Sequence, residues 1–359
     1  MKPSQSIVSR APGRVCLFGE HQDYLSLPVI AAAIDRHIRM TATPISEQIL
    51  QIEMPDVGQQ REIPLDSPFD TLEKRDYFGS AIRVLRRRGF SLPHGYRIVV
   101  TGNIPINAGA SSSSAMVVAL LRLLHELAFP GKILDREELA NLAFQTEVLE
   151  HNEPGGMMDQ FTISLGNVVH INTENFTFST LCESLNGLVL ANSGIKKDTL
   201  KTLATLKAAV FESVEIISNL LPDFQLKTVT EHSLPKYLAM LPTHCHAAFR
   251  AAVLNHLITQ QALEIFDKPK PDLAHLGRLM YNHHTILRDM LNISVPKIEQ
   301  MIDTAMAAGA AGAKINGSGG GGTIVILAPG KQEAVTDALL ALGVDAFPVN
   351  VSRGGEIVG

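Results

Sequence analysis

Residues 102 to 115 read Gly102-Asn103-Ile104-Pro105-Ile106-Asn107-Ala108-Gly109-Ala110-Ser111-Ser112-Ser113-Ser114-Ala115. No other stretch of the chain restricts its fold as strongly. A short apolar run, Arg97 to Thr101, reads as a strand before it, and Val117, Leu120, Leu121, Leu124 and Leu127 recur at helical spacing after it. The order is strand, loop of small residues, amphipathic helix. Small side chains let a ligand approach the backbone, and the unpaired N–H groups and positive dipole end of a helix's first turn bind phosphate oxygens. Serine hydroxyls add hydrogen bonds or a magnesium ligand. The competing reading is an N-cap, because serines start helices whether or not anything binds there. Four serines after Ala-Gly-Ala exceed any capping need; taken alone, the segment supports the two readings about equally. It is not a Walker A loop, since no Gly-Lys-Ser/Thr closes it.

Composition narrows the functional classes. At 359 residues, two packed domains are the leading expectation, and 45% apolar with 19% charged residues describes a chain that folds. A formal net charge of -5 and a pI near 6.2 leave no basic footprint for nucleic acid. The run Arg86-Arg87-Arg88 stands alone, in an apparent helix over Tyr77 to Arg88, and reads as a solvated face. Three distant cysteines, Cys16, Cys182 and Cys245, argue against a disulfide framework and for a reducing compartment. No signal-peptide core and no apolar run near ~20 residues occur, so a soluble, cytoplasmic protein with no membrane contact is expected.

Ile7 to Phe18 and Ile30 to Thr43 read as strands joined through a turn and interrupted by Pro12-Gly13; Arg136 to His151 reads as a helix, followed by a hairpin over Phe161 to Phe178. Beyond about Thr199 helices dominate (Leu200 to Leu220, Ala247 to Phe266, Leu273 to Leu291, Lys297 to Ala308), with strands at Leu188 to Asn192 and Thr323 to Leu327. A domain boundary is expected near residues 180 to 190.

Two further clusters carry chemistry. In Ala11 to Tyr24, an apolar strand ends in Glu20, His21 and Asp23, a set able to hydrogen-bond several hydroxyls of a polyol, or simply a solvated turn. In Glu147 to Gln160, carboxylates precede Pro154-Gly155-Gly156 and Asp159 follows it. One of the helix carboxylates could hold magnesium against nucleotide phosphates, with Asp159 facing an acceptor hydroxyl; helical spacing does not choose between Glu147 and Glu150. His244-Cys245-His246 and His283-His284 read as structural.

Together with Lys314-Ile315-Asn316-Gly317-Ser318-Gly319-Gly320-Gly321-Gly322, these clusters resemble the ordered motifs of the GHMP kinase superfamily, closest to its galactokinase branch, whose signature the Gly-Glu-His-x-Asp-Tyr string at Gly19 to Tyr24 is similar to. The likeness covers nearly the whole chain except residues ~45 to 75. It implies an α+β, two-domain fold, with an N-terminal domain (1 to 185) like domain 2 of ribosomal protein S5 and a ferredoxin-like C-terminal domain (186 to 359). It further implies an ATP- and Mg2+-dependent kinase for a small-molecule sugar, working as a monomer or homodimer. Carried over residue by residue, Asp159 faces the anomeric hydroxyl and Arg14 holds it ionised. Glu20, His21, Asp23 and Gly156 fall on sugar contacts, and Ser113 and Glu147 on the magnesium position. Asn107, Ala108, Gly109, Ala110, Ser111, Ser112, Ser113, Ser114, Gly319 and Gly320 fall on the nucleotide.

The chain departs from the family pattern at Asn107, Ala110 and Cys16, in a shortened stretch after Tyr24, and where a sugar-side tyrosine would fall near Ala204. Galactose is therefore not implied with the reaction. The alternatives are a GHMP kinase for another acceptor (L-arabinose, a uronic acid, a heptose phosphate, a mevalonate-type alcohol) or a catalytically silent sugar and ATP sensor.

Overall fold

The computed structural model describes residues 6–106, 108–153, 155–195 and 199–358, with the backbone alone at 199–203 and 205. Asn107 and the Lys196-Lys197 pair lie outside the described residues.

In chain order the elements are β1 (Ile7–Phe18), β2 (Val29–Pro44), β3 (Ile49–Met54), β4 (Gln59–Pro64), α1 (Tyr77–Arg86), β5 (Tyr96–Gly102), α2 (Ser112–Ala128), α3 (Arg136–Phe144), α4 (Met158–Leu165), β6 (Val168–Asn172), β7 (Thr177–Cys182) and β8 (Leu188–Asn192). They continue as α5 (Thr199–Leu220), α6 (Leu234–Leu238), α7 (Thr243–Phe266), α8 (Leu273–Asp289), α9 (Pro296–Ala307), β9 (Gly312–Ile315), β10 (Thr323–Leu327), α10 (Gln332–Ala341), β11 (Asp345–Pro348) and β12 (Glu356–Val358).

Among the described residues the strands form two sheets. The larger runs β12-β1-β2-β5-β3-β4, with β6 also on β2 and β7 on β6; the smaller is β11-β8-β10-β9. The long strand β2 explains how the site is framed. One edge pairs with β1, whereas the other is shared: Val29 to Ala32 pair with β6, and Ile38 to Pro44 pair with β5. The segments that leave β5 and enter β6, namely the serine loop with α2 and the helix α4, therefore start and finish at the same split in the sheet. The large core beneath them includes Phe18, Ile34, Leu120, Leu124 and Ile163, all fully buried or nearly so.

The chain returns to this sheet late in its course. β12 pairs with β1, Gly355 N donates to Ile163 O of α4 at 3.0 Å, and Asn167 N donates to Ser352 O at 2.7 Å. One strand from beyond residue 186 thus belongs to the first sheet.

Four expectations need correction. Pro12-Gly13 is a register shift inside one continuous strand. The segment expected as a hairpin from Phe161 is the helix α4 up to Leu165, and the hairpin is β6–β7; a short apolar run carries too few residues for its period to separate helix from strand. The helix from Arg136 ends at Phe144 and passes into a π-helical turn, Gln145–Leu149. α1 stops at Arg86; Arg86 is half-buried and donates to Leu65 O at 2.6 Å, whereas Arg87 and Arg88 are exposed, as a solvated face requires, and pair with Glu150 at 2.6 Å and with Glu138. Among the described residues no helix is long and apolar enough to cross a membrane.

Candidate active site

Ser111 does not cap the helix that follows the serine loop. It occupies the N-cap position of α2, yet its side chain makes no capping bond; with φ +58° it turns away from the helix, and its hydroxyl donates to Asp159 Oδ2 at 2.5 Å. No side chain caps the first-turn N–H groups, and Ser112, Ser113 and Ser114 line a cavity of about 200 Å³.

Asp159 stands on the first turn of α4 in the same cavity. Its Oδ1 accepts from Arg14 Nε and Nη2, both at 2.7 Å, and Arg14 also donates to Gly109 O of the loop. Arg14 is nearly sealed, with a 5% exposed side chain, while Asp159 keeps 29% exposure towards the cavity. Backbone bonds fix the loop itself: Arg14 N donates to Ala110 O at 3.1 Å, and Thr323 N donates to Ala108 O at 2.7 Å. Asn316 completes the clamp, donating from Nδ2 to Gly109 O at 2.8 Å and accepting from Cys16 N at 2.9 Å. Arg14, Asp159 and the loop thus form one bonded unit.

The π turn sends the two glutamates to different surroundings. An extra residue in one turn rotates every later side chain about the helix axis. Glu150 therefore faces Arg83 of α1 and Arg87 just beyond it, while Glu147 is buried against the loop. Glu147 Oε2 accepts from Gln160 Nε2 at 2.7 Å, and burial raises its pKa against the hydroxyls of Ser114 and Ser113, which hold it down. Gln160 Oε1 lies buried beside it with no partner among the described residues. A carboxylate, serine hydroxyls and an orphaned amide oxygen make an all-oxygen donor set, which fits a hard cation such as Mg2+.

The Glu20 to Tyr24 turn also lines the cavity, next to the start of α4. His21 Nε2 donates to Ser318 O at 3.2 Å, leaving Nδ1 to accept from the Tyr24 hydroxyl at 3.1 Å. Asp23 accepts from Tyr24 N at 3.0 Å and Met158 N at 3.4 Å; burial, and then the nearby Asp159, push its pKa up to about 6. Gly156 lies against Asp23, where a Cβ would come within 2.2 Å of Asp23 Oδ2. Glu20 behaves differently from its neighbours. Its Oε1 is taken by the fully buried Lys314, whose ammonium also donates to Cys16 O and Ile315 O at 3.0 Å, and its Oε2 is 3.8 Å from His283 Nδ1.

Gly319 and Gly320 do not line the cavity. Gly319 packs on Ile293, and Gly320 N donates to Ile293 O at 2.7 Å, so the glycine run serves the close packing of its loop, while Gly317 and Ser318 face the cavity. Lys314, Asn316, Gln160, Tyr24, Arg75, Tyr77 and Glu153 are residues in or around the cavity to which the sequence assigned no individual role. Lys314 and Asn316 stand inside a family motif, and only the placement of their strand reveals their partners. A second, more apolar cavity of about 680 Å³, with Ile38, Met54, Ile106 and Met116 in its walls, adjoins the first and shares Arg75, Tyr77, Ser112 and Ser113 with it.

Comparison with known proteins identifies the family. Residues 76–167 match the GHMP kinases N terminal domain, 262–345 the GHMP kinases C terminal, and 2–44 the galactokinase galactose-binding signature, together more than half of the chain. A mevalonate kinase from Thermococcus onnurineus is 27% identical over 97% of both chains, and a galactokinase from Pyrococcus furiosus is 28% identical over 93% of this chain and 92% of its own. The crystal structure of Lactococcus lactis galactokinase complexed with galactose superposes with a TM-score of 0.85 at 21% identity, covering 99% of this chain and 95% of that one. The chain belongs to the GHMP kinases, phosphotransferases with ATP as donor and an alcohol as acceptor, and falls on their galactokinase-like side.

Proposed function

We propose that this protein transfers the γ-phosphoryl group of ATP to a hydroxyl, the anomeric one, of a neutral monosaccharide. The observation that carries the reading is the Arg14–Asp159–Ser111 unit, which aims a carboxylate into a cavity that His21, Asp23 and Tyr24 also line.

The acceptor hydroxyl takes the place of the Ser111 hydroxyl at Asp159 Oδ2. Asp159 orients it and accepts its proton as the oxygen forms a bond to phosphorus and the bond to the ADP oxygen breaks. A loose transition state gains most from such positioning and from charge neutralisation. Arg14 supplies a fixed cation beside the transfer. Ser113 and Glu147 are the residues that would hold Mg2+, which when bound neutralises phosphate charge. The apolar cavity walled by Ile38, Met54, Ile106 and Met116 suits a nucleoside, with the uncapped start of α2 at its junction with the acceptor cavity for the phosphates.

Charge supports a neutral acceptor. The carboxylates of Asp23, Glu147, Glu153 and Asp159 line the acceptor cavity, and its two guanidinium groups, Arg14 and Arg75, are matched by Asp159 and Glu153, which leaves Asp23 and Glu147 without a cationic partner among the described residues. An acceptor bearing its own carboxylate would meet like charge there. The mevalonate kinase similarity still makes mevalonate the control to run beside the sugars. ADP release on a panel of monosaccharides and mevalonate, followed by NMR of the product, tests the reading. A sugar phosphorylated at its anomeric oxygen is expected. Turnover with mevalonate alone would refute the sugar assignment, and silence throughout would favour a sensor.

A further inference from the structure

Arg75 sits in the stretch of sequence that the family likeness does not cover, yet it lines both cavities at their junction. A nucleotide with its base in the apolar cavity and its phosphates at the serines must pass Arg75, Tyr77, Ser112 and Ser113. Among the described residues of the two linings only three arginines carry a fixed positive charge: Arg14, Arg61 and Arg75. Arg14 is committed to Asp159 and Gly109 O. Arg61 forms a two-pronged pair with Asp76, at 2.5 and 2.7 Å, and Asp76 also caps α1 through Gly79 N, so that pair is tied into the fold.

Arg75 is placed otherwise. Its side chain is 44% exposed, and its backbone holds the left-handed region, φ +61°, which an L-residue adopts at a cost. Among the described residues its carboxylate partner is Glu153, met at 2.6 Å through Nε and 3.1 Å through Nη2. Two parallel N–H groups that fit a carboxylate fit a phosphate equally well. In a lining this rich in carboxylates, a polyphosphate needs a cation that can change partners.

Resting on the kinase reading above, we infer that Arg75 is a phosphate-contacting residue of the nucleotide site, and that Glu153 competes with the nucleotide for its guanidinium. Binding of ATP exchanges Arg75–Glu153 for Arg75–phosphate. The consequence is a pair of opposite signs: removing Arg75 weakens ATP binding, whereas neutralising Glu153 strengthens it. A purely structural ion pair would make both changes act in one direction.

Titration calorimetry with ATP and magnesium, and with adenosine alone, reads this directly. For Arg75→Ala we expect ATP to bind about tenfold or more weakly, with adenosine affinity held within about twofold. For Glu153→Gln we expect ATP to bind a few-fold more tightly, again with adenosine unchanged. Arg75→Lys, which keeps the charge and loses the fork, should fall between wild type and Arg75→Ala, and it replaces the alanine variant if that one does not fold. ATP affinity within about twofold of wild type in the alanine and lysine variants, or weaker ATP binding by Glu153→Gln, would overturn the inference while leaving the kinase reading intact. A wild-type protein that binds no ATP would overturn that reading as well.

Discussion

Two ion pairs flank the acceptor side of the cavity, and their surroundings differ in every respect that decides what an ion pair can do. Arg14–Asp159 has one buried end and one end open to the cavity. Lys314–Glu20 is sealed at both ends, with 0% exposure on each side chain. The open pair can trade a hydrogen bond for one with a ligand, because Asp159 Oδ2 is held by the rotatable hydroxyl of Ser111. The sealed pair cannot. It joins the end of β1 to β9 of the second sheet, with the neutral His283, whose pKa burial drives well down, against its remaining oxygen. In the proposed reaction the open pair carries the chemistry, and the sealed one holds the two sheets in register around it.

Asp159→Asn is the sharpest way to break this contrast. Asparagine still accepts from Arg14 but takes no proton, so kcat should fall about 10³-fold while the protein stays folded. Near wild-type turnover would move the site elsewhere. Lys314→Met should do the reverse: a charge is left buried without its partner, at a cost of about 3–5 kcal/mol in denaturant unfolding, and adding Glu20→Gln should restore much of that loss. If the double variant were no better than the single one, the sealed pair would have a different role.

Asp23 adds a pH axis. Its folded pKa of about 6 lies above the ordinary carboxyl value, so the native state binds the proton more tightly than the unfolded state. The contribution is therefore favourable below the unfolded pKa and is lost as pH rises through about 6, by up to about 3 kcal/mol. Asp23→Asn should remove that slope and raise stability at about pH 7. Because the ionised form accepts from sugar hydroxyls, acceptor kcat/KM should drop below pH about 6 in the wild type. The smallest effect is expected from Gly156→Ala, whose methyl group would press on Asp23: acceptor KM should rise roughly tenfold with nucleotide KM unchanged.

The serine loop was legible because its two signals are local, small residues in a row and an apolar period immediately after them. β1 was legible to the residue for the same reason. Helical spacing did not separate Glu147 from Glu150, since a π turn changes the helical phase with no marker in the side chains, and only the family likeness pointed to Glu147. Lys314 was hidden by its context: a lysine in a short apolar strand carries no local sign that its ammonium meets a carboxylate almost 300 positions away. Arg75 lay where no motif gave an expectation. Ser111 was expected at the nucleotide, but its hydroxyl turns to Asp159, a contact that only the folding of α4 against the loop creates.

The pairing of β12 with β1 has a consequence for how the protein is made. Residues 352–358 emerge from the ribosome after everything they brace, including the backbone of α4 beneath Asp159 and the outer edge of β1 from Val8 to Arg10. Until then that edge is an unpaired strand, open to pairing with another chain, and the carboxylate's helix lacks its last support. Activity should therefore wait on the arrival of this short strand and not on completion of the nucleotide loop, and the nascent chain should depend most on chaperones in the interval between the two.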